Sequence, residues 1–97
     1  MYYAVIFTSI RTGTDEGYAE MGARMEELAR QQDGFMGMDS ARNEVGITVS
    51  YWRDLESIQA WKRHTDHLVA QEKGRTYWYE RYTIRICRVE REYGFER

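Results

Sequence analysis

Apolar residues occupy both faces of residues 2–10, with Tyr3, Val5 and Phe7 alternating against Ala4, Ile6 and Ile10. A strand apolar on both sides is covered on both sides, so it belongs in the middle of a sheet. The period then changes. Tyr18, Met21, Met25, Leu28 and Ala29 recur at three- and four-residue spacing, which makes one stripe of an amphipathic helix. Thr14, Asp15 and Glu16 supply a capping oxygen and acids for the positive end of its dipole, so the helix is expected to start there and run to about Gln32, where Asp33 and Gly34 end it.

Residues 35–42 and 44–52 alternate again, and Asn43-Glu44 between them reads as the turn of a hairpin. In the second of these strands Val45, Ile47, Val49 and Tyr51 oppose Gly46, Thr48, Ser50 and Trp52, a small-residue face that another group can approach closely. Asp54 and Ser57 offer caps for a second helix, whose apolar positions are Leu55, Ile58, Trp61, Thr65 and Leu68, with a kink expected near His64. Gly74 closes it, and a long last strand is expected from about Tyr77 to Arg91. Strand, helix, strand, strand, helix, strand is the order of a ferredoxin-like α+β sandwich: a four-stranded antiparallel sheet with both helices on one face. Nothing in 97 residues is left to cover the other face, so an obligate homodimer laid sheet against sheet is expected.

The length fits a single domain spanning 1–97, small enough for one core to give marginal stability. Fourteen Lys and Arg against sixteen Asp and Glu leave a net charge of -2 with no basic cluster, which excludes an electrostatic footprint for nucleic acid. MYYAVIFTSI is too short to cross a bilayer and lacks the flanks of a secretory signal, so no membrane partner and a cytoplasmic location are expected. Cys87 is the only cysteine, which rules out an internal disulfide and zinc-ribbon spacing.

Both histidines and all three tryptophans lie between Trp52 and Tyr82. Apolar walls with a few orienting polar groups are what a pocket for a flat organic molecule requires. His64 and His67 are the candidate bases, because histidine alone titrates near neutrality without a special environment. With Gln71 they fall on one flank of the second helix, beside Trp61. Trp52, Trp61 and Trp78 are candidate walls for substrate, and Tyr79 and Tyr82 candidate donors to its oxygen. Alternation places Arg81 and Arg85 on the Tyr79 face, where Arg85 would steady an anion. The ordinary alternatives are core packing for the aromatics and subunit contacts for the polar flank. The His-x-x-His pair has no obvious third ligand, so no metal is assigned.

The segments SYWRDLESIQAWKRHTDHLVAQEKGR, from Ser50, and WYERYTIRICRVEREYGF, from Trp78, resemble the antibiotic biosynthesis monooxygenase family, and the resemblance covers nearly the whole chain. It implies a dimeric α/β barrel with the pocket between sheet and helices. It also implies oxidation of a small aromatic or quinol-type compound by O2 without metal or flavin, with Trp61 as a pocket tryptophan. A haem-degrading branch of that family carries an axial histidine late in the second helix and an asparagine in the first strand. Here Gln71 stands at the first of these positions and AVIFTSI has no asparagine, so haem is not favoured as a cofactor. A non-catalytic dimeric binding or stress-response module on the same barrel is the third reading.

Overall fold

The computed structural model describes residues 1–71 and 75–97, with side chains over 1–66 and 77–97. Four strands and two long helices follow one another as β1 (Tyr2–Arg11), α1 (Tyr18–Arg30), β2 (Phe35–Arg42), β3 (Gly46–Trp52), α2 (Leu55–Gln71) and, after the short helical turn α3 (Arg75–Trp78), β4 (Tyr79–Val89). The strands form one antiparallel sheet in the order β2-β3-β1-β4. This is the ferredoxin-like arrangement that the alternation predicts, with the doubly apolar β1 inside.

Register sorts the faces. Tyr3 pairs with Trp52, Val5 with Ser50 and Ile86, Phe7 with Thr48 and Ile84, and Ser9 with Gly46 and Tyr82. Trp52 stacks on Trp61 of α2 at 5.8 Å between ring centres, so all of these residues share the helix-covered face. Ala4, Ile6, Thr8 and Ile10 share the opposite face with Tyr51, Val49, Ile47 and the β4 residues Cys87 and Arg85. Among the described residues α1 packs chiefly on β2 and α2 on β3, so the described part of the helical layer lies over one half of its face. Over the other half Ile84 and Ile86 remain 47% and 52% exposed.

Four local expectations are corrected. α1 begins at Tyr18, after Gly17 in the left-handed region (φ 77), not at Thr14. The reason is competition. Arg11 Nη2 donates to the Thr14 carbonyl at 2.7 Å and to Asp15 Oδ1 at 2.9 Å, so the expected capping segment serves the end of β1 instead. α2 runs without interruption through His64, since Asp54 Oδ1 accepts from the Ser57 amide at 2.8 Å and starts it cleanly, and no proline or glycine breaks it before Gln71. The hairpin loop holds Asn43, Glu44 and Val45 rather than two residues. Tyr77 and Trp78 belong to the helical turn ahead of β4, where the Thr12 amide donates to the Trp78 carbonyl at 2.8 Å. The expected stop at Gly74 lies outside the described residues.

Candidate functional site

The candidate site is a groove read on the β1–β4 half of the helix face, which the described side chains of α2 leave open. Its floor is Val5 and Phe7 of β1 and Ile84 and Ile86 of β4, alternate residues that antiparallel pairing brings side by side. Trp52 and Tyr3 stand at one end and Ser9 and Tyr82 at the other, six residues along β1, about 20 Å apart at the rise of a strand.

The first end is built from tryptophans. Trp52 is fully buried and donates its indole N–H to Ser50 Oγ at 2.9 Å, which satisfies the one polar atom it brings into the core. Phe35 meets it edge-on at 5.4 Å, and Trp61 stacks over it. His64, one turn further along α2, stacks on Trp61 at 5.8 Å with 20° between the planes and is exposed to solvent. Trp61 and His64 therefore reach the surface of the groove, whereas Trp52 backs them from below. His67 and Gln71 lie further along α2, towards the tyrosine end, and their side chains lie outside the described residues.

The second end is built from tyrosines. A register shift between Ile10 and Arg11 leaves Glu80 unpaired in β4, since Ile10 faces Arg81 and Arg11 faces Tyr79. Two residues on β4 stand against one step on β1, and this bulge puts Tyr79 and Tyr82 on the same face. Phe7 lies between them, stacked on Tyr82 at 5.3 Å and edge-on to Tyr79 at 5.5 Å. Simple alternation would have set Arg85 beside Tyr79. The bulge instead sends Arg81 and Arg85 to the sheet face opposite Tyr79.

Tyr18, at the start of α1, closes this end. Its ring meets Tyr79 at 5.9 Å and Trp78 at 6.1 Å, and the Arg11 guanidinium sits 3.5 Å over it. Burial, followed by the hydrogen bond to the Tyr18 hydroxyl, raises the Tyr79 phenol above its ordinary range, and the charges of Arg42 and Arg11 only partly oppose this. Tyr79 is therefore a protonated donor throughout the neutral range. Trp78 is buried and donates its indole N–H to the Glu16 carbonyl at 2.9 Å, which locks α3 to the α1 entry rather than presenting the ring to the groove.

Sequence reasoning passed over Tyr18, Ser9, Arg11 and Arg42. Tyr18 was legible as a member of the α1 stripe but not as a neighbour of Tyr79, a contact across 61 residues. Arg42 donates through Nη2 to Ser9 Oγ across two strands, and no local pattern announces such a contact.

The fold defines a class: a small α+β domain with an aromatic groove between its sheet and its helices. The sequence pattern of the antibiotic biosynthesis monooxygenase family matches residues 1–73. The chain belongs to that family. It is 47% identical over 97 residues to the uncharacterized protein YqjZ of Bacillus subtilis, covering 98% of this chain and 85% of that one. Among solved structures it is similar to a variant of SnoaB, a cofactor-independent oxygenase from Streptomyces nogalater, at a TM-score of 0.76 and 12% identity, covering 94% and 95% of the two chains. It is also similar to an MhuD variant with two manganese protoporphyrin IX molecules per active site, at a TM-score of 0.67 and 18% identity, covering 96% and 99% of the two chains. These structural likenesses establish the fold.

Proposed function

We propose that the chain is a monooxygenase that oxidises a small aromatic or quinol-type compound with O2 and no cofactor, working as a homodimer. The observation that carries this reading is the groove itself, an apolar floor with a tryptophan–histidine stack at one end and a half-buried, protonated tyrosine at the other, in a member of a monooxygenase family. Cofactor-free oxidation requires the substrate to become its own electron donor, so a hydroxyl or an acidic C–H must lose its proton. His64 or His67 takes that proton. The resulting anion gives electrons to O2; one oxygen atom ends on the ring carbon as a carbonyl and the other leaves as water with the two hydrogens lost, so no external reductant is needed. Trp61 covers the ring, and Tyr79 and Tyr82 donate to the developing oxyanion. Trp52 and Trp78 act from behind, holding Trp61 and the tyrosine end in place.

The likeness to SnoaB supports the absence of a cofactor, and the likeness to the porphyrin-bound MhuD variant makes haem the rival to exclude. For the dimer, the support is the face that carries Ile6 and Val49 with Ile47 at 45% exposure and, among the described residues, no helix over it. Sedimentation equilibrium tests it, with a monomer of 11.6 kDa as the refuting result.

A thermal-shift screen with hydroxylated quinones, polycyclic phenols and haem, on wild type and Trp61→Ala, tests the function, because a ligand that binds the native state raises the midpoint by mass action. A phenolic ligand whose stabilisation vanishes in Trp61→Ala, and which then consumes O2, supports the proposal. A Soret band and stabilisation by haem alone would replace it with haem binding. Binding without turnover that survives loss of both histidines would make the chain a binding module.

A further inference from the structure

Arg42 ends β2, at the sheet edge furthest from the groove, yet its guanidinium does not stay there. It lies across Gly46 of β3 and donates through Nη2 to Ser9 Oγ of β1. Two strand spacings, about 9–10 Å, are bridged in this way. Gly46 is what permits it: a Cβ at that position would overlap the guanidinium, and Gly46 has no left-handed backbone that would call for glycine on other grounds. Arg42, Gly46, Ser9 and Tyr82 therefore make one row across all four strands, on the helix face, at the tyrosine end of the groove.

The chemistry of that row differs from that of the ion pairs elsewhere on the chain. Arg11, Arg30, Arg53, Lys62 and Arg88 are each paired with a carboxylate. Arg42 has a neutral serine hydroxyl as its hydrogen-bond partner and no acid among the described residues. Ser9 is 2% exposed, so the tip of a long cation is anchored at a buried point while the rest of the residue is open to solvent. The charge is felt at the site, because Arg42 is among the groups that act on Tyr79. A fixed, acid-free guanidinium with five donors in a planar fork suits an oxygen anion.

We propose that Arg42 selects substrates bearing a carboxylate or phenolate on a flat aromatic ring, holding that anionic group at the tyrosine end while the ring lies on Phe7 and Ile84. This rests on reading the groove as an aromatic-binding site, and it makes Arg42 a binding residue for that site.

The test is a matched pair of probes, a hydroxynaphthoate and the corresponding hydroxynaphthamide, which differ by one charge. Binding is measured by calorimetry on wild type, Arg42→Gln, Gly46→Ala and, as a control on a paired surface arginine, Arg30→Gln. Wild type and Arg30→Gln should prefer the acid by about tenfold to a hundredfold, the range of a charge-assisted hydrogen bond. Arg42→Gln should bind both probes alike. Gly46→Ala should do the same although Arg42 is still present, which a purely structural role for Arg42 does not predict. Equal affinity of wild type for the two probes, retention of the preference by Arg42→Gln, or no binding of either probe overturns the proposal. Binding is read without turnover, so the two readings separate. Selective binding without O2 uptake leaves the anion site standing and removes the oxygenase, whereas O2 uptake on neutral phenols alone does the reverse.

Discussion

Trp52 was expected to line the site, and its position makes a sharper prediction about how the site is held. It is fully buried, donates to Ser50, meets Phe35 edge-on and carries Trp61 on its face. Truncation to alanine would cost about 3–5 kcal/mol, a large part of the stability of a domain this size, and would confuse unfolding with loss of binding. Trp52→Phe is the informative change. It keeps a ring under Trp61 but removes the indole N–H and leaves the Ser50 hydroxyl, 6% exposed, without its donor. An orphaned buried hydroxyl costs about 1–3 kcal/mol. The smaller ring adds a void whose cost grows with its volume. Urea unfolding should therefore show Trp52→Phe destabilised by about 2–4 kcal/mol, the sum of a void and an orphaned hydroxyl. Removing both partners of a hydrogen bond is cheaper than removing one. Trp52→Phe/Ser50→Ala should thus recover about 1 kcal/mol relative to the sum of the single variants, an interaction energy within the usual range for residues in contact. Ligand affinity in Trp52→Phe should change only a few-fold, while Trp61→Ala abolishes it. Strict additivity in the double variant would refute the hydrogen-bond argument. Loss of binding in a folded Trp52→Phe would refute its role as a support and make it a lining residue.

Three further outcomes are expected. Tyr79→Phe keeps every ring contact and removes a hydroxyl whose bond among the described residues, to Tyr18, is long at 3.5 Å, so its unfolding midpoint should barely move; kcat on any compound turned over should fall by about a hundredfold or more, the loss seen when an oxyanion donor is removed, and an unchanged kcat would take Tyr79 out of the mechanism. Hydrogen bonds from the Ser57 hydroxyl and amide, and then from Arg53, hold the Asp54 carboxyl at about 2. The folded value lies below the unfolded one, so this contribution is complete above about pH 4 and is lost as pH falls towards 2; the acid-induced drop in midpoint should be smaller in Asp54→Asn, and identical acid titrations of the two proteins would contradict the assignment. Gly34 holds φ 89 with its carbonyl accepting from the Arg53 amide at 2.8 Å, and a Cβ there would run into Ser57; Gly34→Ala should lose about 2–4 kcal/mol from left-handed strain plus overpacking, measured by urea unfolding, and a loss below about 1 kcal/mol would refute the clash.

The architecture was legible because it depends on period. Residues apolar on both faces of β1 dictate a central strand, and the stripes of α1 and α2 dictate one helical layer, whatever the loops between them do. The aromatic end of the site was legible in part for the same reason: Trp61 and His64 are one turn apart on a helix, and helical geometry makes them neighbours without reference to the rest of the chain. What escaped was set by residues outside the element being read, whether a few positions away or on another strand. The α1 start moved because Arg11, on the preceding strand, takes the Thr14 carbonyl and the Asp15 carboxylate. Arg85 changed sides because one unpaired residue, Glu80, inverts the alternation of everything beyond it, as a single-residue slip always does.

That inversion has a consequence for chemistry. Without the bulge, Tyr79 and Tyr82 would stand on opposite faces of β4, and an odd spacing of three could never place both in one groove. With it, Phe7 packs between their rings and both phenols face the same space as Ser9 and the guanidinium of Arg42. The polar end of the groove therefore exists only as a product of two local irregularities: an extra residue in β4 and a missing side chain in β3. Glu80 looks like an ordinary surface acid, and the small-residue face of β3 announces that some group can come close to Gly46 without saying that it is Arg42. Their combined effect is to gather donors at one end of an otherwise apolar floor, which is the asymmetry a site needs to bind a flat ring in one orientation rather than two.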